Sequence, residues 1–187
     1  MTQSTQSSIR TVAIIGAGTA GRSFALACVR AGFHVFLEDV MPANLRRAQD
    51  DYAGAASNAV GSLSTALTVE DAVRSADLAI DFVPDELESK LEIFSMLDRM
   101  APPRTILLTP SDAQSITDLA SCTYRPARCF AIRGGLAAGA PAHLVHPPDA
   151  DPTALAATVV FLRAVGNSVE IEPDPIAPML IKNQARS

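Results

Sequence analysis

Short apolar runs and helical stripes alternate along this chain. An apolar run over residues 11–15 leads into a glycine-rich turn, a helical pattern follows over 19–31, and a second apolar run covers 34–39. Apolar runs of roughly four to eight residues between turn signals are typical of buried strands. The beginning of the chain therefore predicts a strand–turn–helix–strand unit.

The same alternation continues through the rest of the chain. We expect further strands at 67–68, 77–83, 105–109, 128–132, 142–145 and 168–171, and helices at 42–60, 71–76, 87–100, 115–121 and 153–165. Repeated strand–helix units predict an α/β fold, a Rossmann-type doubly wound and mostly parallel sheet in a single domain. We assign residues 10–172 to that domain, 1–9 to a disordered N-terminus, and 173–187 to a C-terminal tail or short helix.

Composition narrows the class of protein. The chain has 187 residues with 48% hydrophobic content, which suits one domain around a buried parallel sheet. A net charge of −5 without a basic block argues against nucleic acid as a partner, and no apolar run is long enough to predict a membrane span. The cysteines Cys28, Cys122 and Cys129 lack metal-ligand spacing. We expect them to be reduced, in a cytoplasmic protein, with Cys28 in the core.

The turn Gly16-Ala17-Gly18-Thr19-Ala20-Gly21 carries the clearest chemistry. Gly16 permits a tight turn out of the strand, Gly18 lets the backbone approach a pyrophosphate, and Gly21 lets the helix lie close to the sheet. The backbone N–H groups that begin the helix, at Thr19 and Ala20, would face the phosphates. In this context the turn predicts a dinucleotide site. The alternative is a glycine turn that binds no nucleotide.

Asp39 ends the second predicted strand, where a carboxylate grips the ribose hydroxyls of a dinucleotide. A carboxylate there repels a 2′-phosphate, and the following Val40 and Met41 offer no arginine to accept one. The sequence therefore predicts NAD as the cofactor rather than NADP.

Residues 11–22 resemble the start of 3-hydroxyacyl-CoA dehydrogenases, and residues 76–90, 115–120 and 125–128 continue the resemblance. It covers essentially the nucleotide-binding domain of that family. The resemblance implies a backbone contact from Phe82 to the nicotinamide half, Asp85 facing the nicotinamide ribose, and Lys90 binding in the same region. The alternative for Lys90 is a solvated helix lysine, just as Asp98-Arg99 is interpreted as a solvated helix face.

The catalytic side of the family pattern differs in this chain. The resemblance implies a histidine base, a glutamate that orients it, an asparagine, and a serine near the substrate oxygen. The positions that match them hold Arg133, Val145, Leu136 and Asp112. Arginine cannot act as a base near neutral pH, and valine cannot orient one. The catalytic residues are therefore left unassigned.

Two side chains near this region have open interpretations. Arg133 either holds a carboxylate or phosphate, or forms an ion pair with Asp112 that closes the substrate site. His143 is either a displaced catalytic base, for which the sequence shows no partner carboxylate, or a surface loop residue. A metal site that combines His143 with His146 is disfavoured, because the spacing and the neighbouring prolines break any ligand helix.

Two functions follow from these observations. The first is an NAD(H)-binding oxidoreductase that acts on a small acyl or hydroxy substrate without the His/Glu pair of the family. The alternative is a non-catalytic NAD(H)-binding sensor, or a subunit that works with a partner protein. The helical second domain of the family is absent from this sequence. We therefore expect the segment 175–181 to cover the surface left exposed or to pair two chains in a homodimer.

Overall fold

The computed structural model describes residues 9–55, 60–137 and 139–180. Its strands are β1 (Thr11–Ile15), β2 (His34–Glu38), β3 (Ser62–Ala66), β4 (Leu78–Asp81), β5 (Ile106–Pro110), β6 (Cys129–Gly134), β7 (Pro141–His146) and β8 (Ser168–Pro173). Its α-helices are α1 (Thr19–Arg30), α2 (Pro42–Ala55), α3 (Val69–Val73), α4 (Leu87–Met100), α5 (Ile116–Ala120) and α6 (Pro152–Val165), with a short 3₁₀ helix at Pro126–Arg128. The predicted disordered N-terminus, apart from Ile9, lies outside the described residues, as does 181–187.

The strands form one sheet in the order β3-β2-β1-β4-β5-β6-β7-β8. All neighbouring strands are parallel except β6 and β7, which are antiparallel. A helix or a longer connection joins each parallel pair, whereas a loop without a helix joins β6 to β7 and lets the chain turn back as a hairpin. The predicted α/β fold with a mostly parallel sheet is confirmed.

Helices cover both faces of the sheet and bury it. The apolar sides of α1 and α6 pack on one face, around Phe24 and Phe161, and those of α3, α4 and α5 pack on the other, around Phe94. Cys28 is buried on α1, as predicted. The four residues of β4 are all buried, which is typical of a central parallel strand. Because β1, β4, β5 and β6 run in the same direction, their carboxyl ends meet at one edge of the sheet.

The predicted third strand was wrong. Residues 67–68 follow the strand, and Leu67 is 81% exposed. The strand covers Ser62–Ala66, an edge segment in which polar side chains alternate with Leu63 and Ala66. Such an edge strand needs few apolar residues, so a search for an apolar run misses it. Helix α2 ends at Ala55, and the remainder of its predicted range, 56–59, lies outside the described residues. The other elements differ from prediction only at their ends.

The prediction of a solvated face at Asp98 was also wrong. Asp98 is 7% exposed, and it accepts hydrogen bonds from Arg125 Nε at 2.8 Å and from the Tyr124 N–H at 2.9 Å. Arg125 also donates to the carbonyl oxygens of Ala101 and Pro102. This ion pair joins the end of α4 to the segment before β6. The helical pattern of α4 cannot reveal this ion pair, because Arg125, the partner of Asp98, lies outside the helix.

The chain after β8 folds back on α5. Asp174 Oδ2 accepts hydrogen bonds from Ser115 Oγ at 2.7 Å and from the Thr117 N–H at 2.9 Å. Burial opposes ionisation of Asp174, but these hydrogen bonds outweigh it and lower the pKa of the carboxyl group. Asp118 accepts from the N–H groups of Met179 and Leu180. Among the described residues, no helix has the length and apolar character needed to cross a membrane.

Candidate functional site

The turn after β1 has the geometry that its glycines predict. Gly16 has φ 102°, a conformation that favours glycine, and its N–H donates to the Glu38 carbonyl at 2.8 Å. A Cβ on Gly21 would overlap the carbonyl oxygen of Gly16, so α1 lies directly against the turn. Both glycines are needed to bring the start of α1 to the carboxyl end of β1.

Gly18 plays a different part from its neighbours. A Cβ placed on it would meet no atom within 4 Å, and Gly18, Thr19 and Ala20 are all exposed. Gly18 is the N-cap of α1, yet no side chain caps the helix and no acidic residue stands in its first turn. The first backbone N–H groups of a helix have no partner within it. They therefore face an open space in which an anion can bind.

Asp39 lies beside this turn, as predicted. Its Oδ2 accepts from the Ala17 N–H at 2.6 Å and its Oδ1 from the Met41 N–H at 2.7 Å, while Asn44 Nδ2 donates to Oδ2 at 3.2 Å. The neighbouring Glu38 is buried, and burial together with the charge of Asp39 raises its pKa. Of these two carboxylates, only that of Asp39 lies beside the turn and reaches solvent.

Phe82 and Asp85 stand next to the turn at the end of β4. The Phe82 N–H donates to the Ile15 carbonyl at 2.7 Å, and its ring contacts Phe24 with centroids 5.7 Å apart. Asp85 is exposed, and its carboxylate accepts from Ser111 Oγ at 2.6 Å and from the Asp112 N–H at 3.0 Å. It thus ties the loop after β4 to the loop after β5. Their cofactor contacts stay predictions.

Lys90 is not the solvated lysine that the alternative described. It is 1% exposed, and its Nζ lies 2.8 Å from Asp81 Oδ1 and 3.0 Å from the Pro110 carbonyl oxygen. Its cation is therefore paired inside the protein, at the ends of β4 and β5, and its predicted contact with the cofactor stays a prediction. The sequence analysis missed Asp81, although an acidic residue that ends an otherwise apolar strand is a visible signal.

Both side chains of the pair formed by Asp81 and Lys90 are buried. Burial raises the pKa of Asp81, and the neighbouring ammonium group opposes that rise. Asp81 Oδ2 and Thr109 Oγ1 are buried without hydrogen-bond partners among the described residues. The pair holds β4, α4 and β5 together.

Val145 and Asp112 occupy two positions that the resemblance matches to catalytic residues of the family. Val145 is fully buried in the core, so the position expected to hold a glutamate is a packing position. Asp112 Oδ1 lies 3.3 Å from the Gly134 N–H, and no ion pair joins Asp112 to Arg133 in the part of the chain that the structure describes. The ion-pair interpretation of Arg133 was therefore wrong.

His143 has the carboxylate partners that the sequence analysis did not find. It lies opposite Arg133 on β6 and opposite Glu170 on β8. Its Nδ1 is 3.7 Å from Glu170 Oε2 and 3.9 Å from Glu172 Oε2. The sequence could not show this contact, because it depends on the parallel pairing of β7 with β8. The only available signal was the alternation of side chains along a strand, which places Glu170 and Glu172 on the same face of β8.

The predicted absence of a metal site stays a prediction. His146 Nδ1 lies 2.9 Å from the Pro147 carbonyl oxygen. Among residues 9–55, 60–137 and 139–180, no three His, Cys, Asp or Glu side chains cluster as metal ligands. The three cysteines are free.

Comparison with known proteins agrees with this geometry. Residues 11–169 match the NAD-binding domain of 3-hydroxyacyl-CoA dehydrogenase. A probable 3-hydroxybutyryl-CoA dehydrogenase of Bacillus subtilis is 32% identical over 138 residues, which cover 66% of this chain and 48% of that protein. The 5-formyl-3-hydroxy-2-methylpyridine 4-carboxylate 5-dehydrogenase of Mesorhizobium japonicum is 31% identical over 155 residues, which cover 77% of this chain and 47% of that protein.

Solved structures show the same fold. An NAD⁺-dependent 5-formyl-3-hydroxy-2-methylpyridine 4-carboxylic acid 5-dehydrogenase superposes with a TM-score of 0.78 at 24% identity, over 95% of this chain and 61% of that chain. The (S)-3-hydroxybutyryl-CoA dehydrogenase of Ralstonia eutropha gives a TM-score of 0.77 at 22% identity, over 89% and 64%. The chain spans about half the length of the two curated relatives described above. It belongs to the 3-hydroxyacyl-CoA dehydrogenase family, and the part of that family it contains is the NAD-binding domain.

Proposed function

We propose that this chain is an NAD(H)-binding oxidoreductase domain that transfers a hydride without the His/Glu pair of its family. The observation that carries the proposal is the open space at Gly18, bordered by the start of α1 on one side and by Asp39 on the other. A pyrophosphate fits the uncapped helix start, and a ribose fits the carboxylate. NAD, when bound, accepts or supplies the hydride.

The roles of the remaining cofactor residues follow from their positions. The backbone of Phe82 and the carboxylate of Asp85 border the nicotinamide half. Lys90 supports that half through its pair with Asp81, which holds the ends of β4 and β5 in place. Each of these roles is a proposal that rests on the position of the residue relative to the glycine turn.

The relatives indicate the substrate class. Their names specify dehydrogenation of 3-hydroxybutyryl-CoA, of 3-hydroxyadipyl-CoA, and of a pyridine compound that carries a carboxylate. A small acyl or hydroxy compound is therefore the substrate that we propose for this chain. A homodimer or a partner protein is proposed as the assembly in which the chain works. Cytoplasmic location stays a prediction.

A second function is favoured by one observation, the burial of Val145 in the core. A site whose orienting carboxylate has become a packing residue is compatible with a protein that binds NAD(H) and performs no chemistry. In that case the chain is a sensor, or a subunit that works with a partner protein. Binding of the cofactor is common to both functions, so it is tested first.

The experiment is a calorimetric titration of the purified chain with NADH and with NADPH. We expect NADH to bind more tightly, because Asp39 accepts from ribose hydroxyls and repels a 2′-phosphate. Asp39→Ala should weaken NADH binding by about tenfold to a hundredfold, the effect of losing a hydrogen bond to a charged group. Asp50→Ala, which removes an exposed carboxylate on α2, is the matched control and should change nothing. Absence of binding by either nucleotide would refute the proposal.

A further inference from the structure

The side chains of Arg133, His143 and Glu170 form one row across three strands. Arg133 lies opposite His143 in the antiparallel pair of β6 and β7, and His143 lies opposite Glu170 in the parallel pair of β7 and β8. Directly paired residues point to the same face of a sheet, with Cβ atoms about 5 Å apart in an antiparallel pair. A cation, an imidazole and a carboxylate therefore stand side by side at the edge of the sheet where β6 ends.

Two nitrogens of the Arg133 guanidinium group have no hydrogen-bond partner among the described residues. Its Nε and one Nη are buried, and neither forms a hydrogen bond within the described residues. These two nitrogens lie on one edge of the planar group, and that edge matches the two oxygens of a carboxylate. Buried donors without partners are costly, so an anion that accepts from these two nitrogens gains more than it would from an exposed arginine. The position indicates a site for a carboxylate.

His143 is placed to move a proton beside this anion. Its side chain is 40% exposed, so a ligand can reach the ring. Nδ1 faces Glu170 and Glu172 at 3.7 and 3.9 Å, beyond hydrogen-bond distance but within range of a charge interaction. Nδ1 therefore faces the two carboxylates, and Nε2 is left to take a proton from a substrate.

We propose that this row is a substrate site for short hydroxy acids with a free carboxylate, an inference that rests on the NAD(H)-dependent function proposed above. Arg133 binds the carboxylate, His143 is the catalytic base, and Glu170 and Glu172 are positioning residues. In the oxidation, the carbinol C–H bond breaks and its electron pair leaves as a hydride to NAD⁺. The O–H bond breaks, its proton goes to Nε2 of His143, and its electron pair forms the C=O bond. The reverse reaction reduces an oxo acid with NADH.

The first test is binding and does not depend on turnover. Acetoacetate and 2-oxobutyrate are titrated by calorimetry, first into the protein alone and then into the protein saturated with NADH. We expect Arg133→Gln to weaken binding at least tenfold, whereas Arg163→Gln, which removes an exposed charge on α6, changes nothing. Methyl acetoacetate, which has no carboxylate, should bind no better to the wild type than to Arg133→Gln.

The second test separates the roles of the row. His143→Gln should lower kcat for NADH oxidation by acetoacetate by about a hundredfold or more, the usual size of a lost acid–base catalyst, with an unchanged Kd for acetoacetate. The double variant Glu170→Gln with Glu172→Gln should lower kcat and leave KM unchanged. The NMR signals of the His143 ring should shift when acetoacetate binds the wild type.

Each result is decisive for one of the two proposals. If NADH binds but neither oxo acid does, or if Arg133→Gln binds them as well as the wild type, the carboxylate site is wrong and the cofactor proposal stands. If acetoacetate binds without oxidation of NADH, or if His143→Gln retains full kcat, the catalytic role of His143 is wrong. If NADH fails to bind, the proposed function fails, and the titrations of the protein alone still decide the anion site.

Discussion

At the scale of single residues, the three glycines of the turn do three separable things. Gly16 adopts a backbone conformation that favours glycine, Gly21 allows α1 to contact the turn, and Gly18 leaves room beside the backbone. The first two therefore support the fold as well as the site. A Cβ on Gly18 would meet no protein atom within 4 Å, so packing does not require glycine at this position.

Gly18→Ala should consequently separate binding from stability. We expect its free energy of unfolding to stay within about 1 kcal/mol of the wild type, because the new methyl group meets no protein atom and φ is −64°. NADH affinity should fall at least tenfold, because the methyl group occupies the space of the pyrophosphate. Urea unfolding and calorimetry measure the two quantities.

Gly54→Ala on α2 is the control, since its Cβ also meets nothing within 4 Å but lies away from the turn. It should retain NADH binding. Unchanged affinity in Gly18→Ala would mean that the pyrophosphate does not lie against this backbone.

At the scale of elements, the pair formed by Lys90 and Asp81 joins α4 to β4, and the contact with the Pro110 carbonyl adds β5. Removal of one partner from a buried ion pair leaves the other charge uncompensated, which typically costs about 3–5 kcal/mol. The same pair explains why a helix lysine that looks solvated in the sequence has a structural role.

Lys90→Met should destabilise the chain in a way that depends on pH. Without the ammonium group, burial raises the pKa of Asp81 further above that of the unfolded carboxyl group. Between these two pKa values the folded state binds the proton more tightly, so the free energy of unfolding falls as the pH rises from about 5 to about 7. Urea unfolding at both pH values should therefore show the larger loss at the higher pH.

The control is the double variant Asp81→Asn with Lys90→Met, which has no charge at either position. Between the two pH values, the free energy of unfolding of this variant should change by no more than that of the wild type. An equal loss for Lys90→Met at both pH values would show that Asp81 stays ionised without its partner.

At the scale of the whole molecule, the sequence allowed the fold and the cofactor side to be predicted. The glycine turn, Asp39 and the alternation of elements are local signals, and each depends on residues close together in the chain. The contacts that were missed join distant elements. The pairing of His143 with Glu170 and Glu172, of Lys90 with Asp81, and of Arg125 with Asp98 depends on strand order and helix docking, which periodicity does not encode.

Self-association also belongs to this scale, and it stays a prediction. The segment through Leu180 packs on α5, yet Ile171 and Met179 are 52% and 68% exposed near the end of the described chain. Contiguous exposed apolar patches mark contact surfaces, and we predict that these two side chains contribute to one. Sedimentation at micromolar concentration should show a dimer, which Ile171→Lys combined with Met179→Lys should dissociate.

Leu67→Lys is the control, because Leu67 is 81% exposed beside the opposite edge strand, β3. It should leave the dimer intact. The dimer prediction would be wrong if the wild-type chain sedimented as a monomer and bound no dye that reports exposed apolar surface.

The function proposed for the row depends on the register of the β6–β7 hairpin. Arg133 lies opposite His143, and Ala131 lies opposite Val145. A shift of the register by one residue would turn the imidazole to the opposite face of the sheet, among the side chains under α1 and α6. A shift by two residues would place Val145 opposite Arg133. Substitutions, insertions and deletions in the loop are therefore expected to preserve the row only where they preserve this register.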